Sequence, residues 1–167
     1  MSLLKQIDDK APVVAWSPVA DHPALLALGS KEGSGSGFDD VGGDLSLYPL
    51  DFSDTGNTSV HPAGSVKVTS RFQSLAWTEL HAQASTFSHG LIAGGMEGGT
   101  VNIWDPAKIL QNDGVSQAQI GRVQRHSGGV RALQFNPHVD SSHLLASGGS
   151  DNEVFIMALE RADAPTI

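Results

Sequence analysis

Three side chains in the last third of the sequence carry the functional groups of a hydrolytic triad: His126, Ser147 and Asp151. In a serine hydrolase, a histidine takes the proton of the nucleophilic hydroxyl and a carboxylate orients the imidazole. The Gly-x-Ser-x-Gly turn that would expose such a serine is approached only by residues 33–37, an alternating glycine and serine run that does not place a serine at the central position. A hydrolase using His126 and Asp151 is therefore the less favoured alternative, and we predict no catalytic residue.

The histidines are also candidate metal ligands, and the chain contains 7 of them but no cysteine. The two closest in sequence, His138 and His143, flank a loop instead of sharing one helix face. Zinc sites need three or four convergent ligands. We therefore predict solvated loop histidines, with neither a metal nor a cofactor. The absence of cysteine excludes disulfides and thiol catalysis.

Composition and charge limit the class of protein. The chain has 167 residues, of which 40% are hydrophobic and 17% charged, so it is long and apolar enough for one globular domain. Its net charge of −8 argues against binding to nucleic acid or to an anionic membrane surface. Because no apolar run approaches the ~20 residues of a membrane span, we expect a cytoplasmic protein without direct membrane insertion.

Short apolar segments must position the three candidate side chains. They lie at 130–135, 144–147 and 154–157, and glycines or the pair Asn136-Pro137 separate them. β-branched residues in short alternating runs, bounded by Gly, Asn and Pro, are typical of strands joined by tight turns. This part of the sequence therefore predicts an antiparallel meander.

The same order of segments occurs three times along the chain. An apolar segment ending in an aromatic residue comes first, then an aliphatic segment ending in glycine, then an alternating segment. The aromatic residues are Trp16, Trp77 and Phe135, and their matching positions predict that all three are core anchors. The predicted units span residues 3–69, 70–123 and 124–160, with a flexible insertion at 30–43.

A fourth strand is predicted for the first two units, at 65–69 and 117–123, whereas the third unit has almost no sequence left for one. Residues 3–8 form a strand candidate before the first unit. We therefore expect each unit to begin with its outer strand and to continue with three inner ones. Four-stranded meanders repeated in series are the blades of a propeller. The predicted fold class is all-β, a partial propeller of three four-stranded antiparallel blades.

Trp104-Asp105 closes the third strand of the second unit, and the chain resembles the WD-repeat β-propellers, which carry this dipeptide. In that family, residues at the positions of His126, Ser147 and Asp151 form a buried hydrogen-bond network with a third-strand tryptophan. This chain departs from the pattern because Met157 replaces that tryptophan in the third unit and Val68 replaces the histidine of the second. The resemblance implies structural roles in the blades for Trp16, Trp77, Trp104, Asp105, His126, Phe135, Ser147 and Asp151.

Longer stretches, among them 91–99, 101–109 and 126–133, resemble the N-terminal propeller of the large outer-coat subunit of the COPII vesicle coat. The resemblance implies a non-catalytic scaffold in endoplasmic-reticulum-to-Golgi transport, peripheral on the cytosolic face of exit sites and COPII vesicles. The implied partners are the smaller propeller subunit of the outer coat and other copies of the same subunit. The alternative in the same class is a WD-repeat adaptor that binds short peptides in signalling or ubiquitin ligation.

Three blades alone leave two blade faces uncovered, because propellers close with typically 4–8 blades. Large exposed apolar faces mark interaction surfaces or aggregation hazards. We therefore expect that this segment needs further blades, or oligomerisation, to close.

Overall fold

The computed structural model describes residues 3–8, 12–30, 42–161 and 164–166. Within them, twelve strands form three antiparallel four-stranded sheets, which confirms the predicted fold class. Blade 1 contains β1 (Pro12–Trp16), β2 (Leu25–Ser30), β3 (Gly43–Pro49) and β4 (Gly64–Val68). Blade 2 contains β5 (Phe72–Thr78), β6 (Leu91–Met96), β7 (Thr100–Trp104) and β8 (Gln119–Gln124). Blade 3 contains β9 (Val130–Phe135), β10 (Leu144–Gly149), β11 (Val154–Arg161) and β12 (Ala164–Thr166).

The predicted strand order within a blade is wrong. In every sheet the strands follow chain order, and the first strands β1, β5 and β9 pack side by side as the inner strands. Residues 3–8 contribute only a parallel bridge between Gln6 and Ser59 among the described residues. Blade 3 does have a fourth strand, β12, although it contains Pro165. A proline is tolerated there because an outermost strand pairs on one side only. Residues 31–41 of the predicted insertion lie outside the described residues.

Two apolar interfaces hold the blades together, and blade 2 contributes to both. Alternation along its strands sends Leu91 and Ile103 towards blade 3, and Ile92 and Trp104 towards blade 1. Successive side chains of a strand point to opposite faces, so a blade covered on both sides is apolar at almost every position. In β6 and β7, accordingly, all eleven residues are buried.

A helical insert joins β7 to β8, where the sequence predicted a strand from residue 117. It consists of α1 (Pro106–Leu110) and α2 (Val115–Ala118), and it packs against β3 and β4 of blade 1. Asp105 caps α1, since its Oδ1 accepts a hydrogen bond of 3.0 Å from the Ala107 N–H, and Pro106 occupies the first helical position. No helix in the described residues combines the length and hydropathy needed to cross a membrane.

Candidate functional site: the His126 network and the open blade faces

The three predicted triad side chains do meet in blade 3. His126 lies between β8 and β9, Ser147 in β10, and Asp151 in the turn that follows β10. The His126 Nδ1 is 3.0 and 3.1 Å from the two Asp151 carboxylate oxygens, and its Nε2 is 2.9 Å from the Ser147 Oγ. The order carboxylate, imidazole, hydroxyl is that of a hydrolase triad.

Burial prevents this group from acting on a substrate. His126 and Ser147 are each only 2% exposed. The His126 ring also makes an edge contact with Phe155, at 4.8 Å between ring centroids. A nucleophilic hydroxyl must reach the carbon that it attacks, and Ser147 is buried. The arrangement is therefore a buried hydrogen-bonded brace.

The Asp151 carboxylate extends this brace to the backbone of both flanking turns. It accepts hydrogen bonds from the Ser127 N–H at 2.9 Å and from the Glu153 N–H at 3.2 Å. Burial acts to raise the pKa of Asp151, but the hydrogen bonds from His126 and from these two N–H groups outweigh it. The pKa of Asp151 is therefore below its ordinary value, and the ionised carboxylate stabilises the folded blade.

Blade 2 has no such brace, because Gly94 stands where blade 3 has Ser147 and Val68 where it has His126. The space is filled by the rings of Phe72 and Trp104, which lie 5.5 Å apart between centroids at 42°. A methyl group on Gly94 would collide with both rings. The Trp104 Nε1 is buried and has no hydrogen-bond partner among the described residues. Blade 2 is thus closed by aromatic packing, and Phe72 was missed because its partners are distant in sequence.

The three predicted aromatic anchors have different environments. Trp77 and Phe135 are buried, each in the interface with the preceding blade, and the Trp77 Nε1 donates a 2.8 Å hydrogen bond to the His89 carbonyl. Trp16 is 56% exposed, so its predicted place in the core is wrong. The physical reason is that an anchor packs against the preceding blade, and the described part of the chain has none before blade 1.

Blade 3 presents the second open face. Strand pairing aligns Ala132, Gly148 and Val154 in one row across it, and the next row holds Ala146 and Ile156. Val154 is 72% exposed and Ile156 is 60% exposed, although both are β-branched residues in the middle of a sheet. A cavity of about 590 Å³ between the inner strands extends to the Val154 edge of this face. Apolar faces of this kind are interaction surfaces.

Two hydroxyl groups of β5 tie blade 2 to blade 3. The Ser74 Oγ donates a 2.7 Å hydrogen bond to the Val130 carbonyl, and the Thr78 Oγ1 donates a 2.9 Å bond to the Ser142 carbonyl. Sequence analysis missed both residues. Their only signal was a small hydroxyl residue inside a mainly apolar strand, Ser74, and another at its last position, Thr78.

Comparisons with known proteins agree with this architecture. No known protein-family profile matches the sequence. The chain is 39% identical over 173 residues to "Protein transport protein SEC31" of Dictyostelium discoideum, and 35% identical over 162 residues to "Protein transport protein Sec31B" of Mus musculus. These alignments cover 99% and 97% of the chain. The chain is homologous to a segment of the SEC31 proteins. It spans only 12% and 13% of the length of these two relatives.

Solved structures similar to this SEC31 homologue come from a vesicle coat. One is described as "COPII on membranes, outer coat vertex" and another as "The structure of the COPII coat assembled on membranes". Each superposes with a TM-score of 0.62 at 26% sequence identity and covers 92% of this chain. The match spans 37% of the first coat chain and 20% of the second. The resemblance to the outer-coat subunit is thereby confirmed.

The two candidate metal ligands His138 and His143 lie in the loop between β9 and β10. Among the described residues, no three His, Asp or Glu side chains are placed to hold an ion. The His138 Nδ1 instead accepts a 3.3 Å hydrogen bond from the Asp140 N–H within one turn. That contact caps a 3₁₀ turn at Val139–Ser141, which is a structural role.

Proposed function

We propose that this chain is a scaffold segment in the outer cage of the COPII coat, which serves endoplasmic-reticulum-to-Golgi transport. The observation that carries the proposal is the superposition of 92% of the chain on a chain of the outer coat vertex. In this role the blades form a rigid support, and their rims and loops make many weak contacts that add through multivalency.

We infer that the segment is not an enzyme. The candidate nucleophile Ser147 is buried, and its hydroxyl is hydrogen-bonded to His126 within the brace. Asp105, a residue of the WD dipeptide, is likewise engaged in capping α1. The polar groups that resemble catalytic machinery therefore have structural partners.

The proposed partners are the smaller propeller subunit of the outer coat and other copies of the same subunit. The proposed location is the cytosolic face of endoplasmic-reticulum exit sites and of COPII vesicles, where the segment lies peripherally. The net charge of −8 supports recruitment through protein contacts, because an acidic surface is repelled by nucleic acid and by anionic lipid.

The open faces support a further point about domain organisation. Trp16 on blade 1 and Val154 and Ile156 on blade 3 are exposed where a neighbouring blade would bury them. We propose that the chain is one incomplete propeller segment, and that further blades cover these faces. The length of the curated relatives supports this proposal, because they provide ample sequence for more blades.

The test is affinity capture of coat subunits on the immobilised chain. We expect the unmodified chain to retrieve outer-coat subunits from a cytosolic extract. The variant Val154→Lys with Ile156→Lys is expected to lose them, because two charges on the open face of blade 3 prevent apolar contact. Val139→Lys is the matched control, since Val139 is 56% exposed but lies outside that face. Retrieval of ubiquitin-ligase or signalling proteins without any coat subunit would contradict the proposal and favour the adaptor.

A further inference from the structure

Six of the seven histidines lie at one end of the blades. The loops that join the first strand to the second, and the third to the fourth, meet at this end because neighbouring strands are antiparallel. These loops contain His22, His61, His81, His89, His138 and His143. Only His126 lies at the opposite end. One pair among the six spans two blades in direct ring contact.

That pair is His22 and His89. His22 belongs to the β1–β2 loop of blade 1, and His89 to the β5–β6 loop of blade 2. Their rings are stacked, with centroids 4.1 Å apart and planes inclined by 11°. Blade 2 holds His89 in place, since the Trp77 Nε1 donates to its carbonyl and the Ser88 Oγ is 3.0 Å from its Nδ1. The stack is thus a side-chain contact between the loops of blades 1 and 2.

Few charged groups act on this contact. Burial lowers the pKa of His89, and the neighbouring His22 lowers it further, whereas Asp105 acts in the opposite direction. Burial raises the pKa of Asp105, against the Ala107 N–H, Lys108 and His89. Among the described residues, the charged side chains that act on His89 are therefore His22 and Asp105, Lys108 acts on Asp105, and Asp21 is the chain neighbour of His22. The site favours the neutral form of His89.

We propose that the His22–His89 stack is a proton-sensitive contact, which holds blade 1 against blade 2 near neutral pH and releases it when the imidazoles are protonated. Neutral rings can stack in this half-buried position, and Asp105 compensates one positive charge. A second proton places like charges about 4 Å apart, where they repel. Opening of this contact also loosens α1, because Asp105 caps this helix and the helix packs on β4.

The direction of the pH effect follows from the lowered pKa of His89. When the contact opens, the imidazole regains its ordinary pKa of about 6.5 and binds protons more readily than in the closed state. The stabilisation is therefore complete above about pH 6.5, and it is lost as the pH falls from there towards the lower pKa of the closed state.

Hydrogen exchange of the intact chain at pH 7.5 and pH 5.5, corrected for the intrinsic pH dependence of exchange, tests the proposal. We expect protection of β1 and α1 to fall severalfold relative to β10 at the lower pH, up to the limit of about tenfold that one imidazole with an ordinary pKa of about 6.5 allows. His22→Phe should reduce this response without abolishing it, because phenylalanine keeps a stacking ring and removes the like charge, whereas the burial of His89 remains. His138→Phe, on an exposed histidine of blade 3, should respond like the unmodified chain. An equal loss of protection in all three blades, or a full response in His22→Phe, would overturn the proposal.

An NMR titration of the unmodified chain needs no substitution. We expect the His89 imidazole to titrate below its ordinary value, with the same midpoint as the loss of protection in β1. A His89 that titrates at its ordinary value, or a midpoint separated from that of β1 opening, would also overturn the proposal.

Discussion

Blades 2 and 3 have the same four-stranded plan but are closed by different interactions. Blade 3 uses the polar brace of His126, Ser147 and Asp151, which connects two turns and a strand of one sheet. Blade 2 uses Phe72 and Trp104, whose rings pack in the interface with blade 1. The brace acts within a blade, whereas the aromatic pair acts between blades.

The difference matches the surroundings of each blade. Blade 2 is covered on both faces, so large rings there bury apolar surface against a neighbour. Among the described residues, blade 3 is covered by a neighbour on one face only, so it buries less apolar surface between blades. Hydrogen bonds within its sheet therefore contribute more of its stability. A propeller blade can therefore replace the family's polar network with aromatic packing where a neighbouring blade is present.

The largest expected effect is that of Trp104→Ala in blade 2. Trp104 is fully buried, and removing such a ring typically costs about 3–5 kcal/mol of unfolding free energy. Denaturant unfolding measures it. The control is Trp16→Ala, whose exposed ring should change stability by no more than about 0.5 kcal/mol. Equal losses for the two tryptophans would show that blade 2 does not depend on its aromatic pair.

Gly94→Ala should follow in magnitude. The added methyl group collides with Phe72 and Trp104, and such overpacking typically costs about 1–3 kcal/mol. Gly148→Ala in β10 is the matched variant, because its methyl group would meet the Ala132 Cβ at an ordinary 3.5 Å. We expect a lower melting temperature for Gly94→Ala alone. Equal melting temperatures for the two variants would show that the Phe72 and Trp104 rings do not restrict the space at Gly94.

His126→Ala tests the brace of blade 3. It leaves the Ser147 hydroxyl and the Asp151 carboxylate without their imidazole partner, which should cost about 1–3 kcal/mol. His138→Ala provides a control at an exposed histidine. Loss of stability without any hydrolytic activity in the parent chain supports the structural role. A hydrolytic activity that disappears in a stably folded His126→Ala would refute it.

The smallest expected effect is a change in the pH dependence of stability, and it concerns the brace of blade 3 alone. Because the pKa of Asp151 is below 3.8, its stabilisation is complete above that value and is lost as the pH falls towards the lower pKa of the folded state. Melting temperature measured between pH 6 and pH 3 should therefore fall less steeply in Asp151→Asn than in the parent. Asp113→Asn, in the exposed part of the α1–α2 insert, should retain the parental slope.

Local sequence patterns predicted the features that depend on neighbouring residues. Alternating apolar residues and glycine-rich turns predicted the blades. The resemblance to WD-repeat propellers implied a hydrogen-bond network at His126, Ser147 and Asp151, and these three side chains are in contact. The missed features depend on contacts between distant segments. Trp16 occupies the same position in its unit as the two buried anchors, but the described residues contain no preceding blade for it to pack against. The Phe72 ring packs against Gly94, which lies in another strand. The helical insert begins at Pro106 and replaces the first residues of the strand predicted from residue 117.

The two open faces of the molecule are chemically unlike. The leading face carries the indole of Trp16 beside the aliphatic Val14, and the trailing face carries the aliphatic side chains of Val154 and Ile156. A two-fold dimer joins identical patches, whereas contact between a leading and a trailing face joins different ones. Assembly through these surfaces is therefore directional, because each added unit joins its leading face to the trailing face of the previous unit. Such assembly ends only when the units close into a ring.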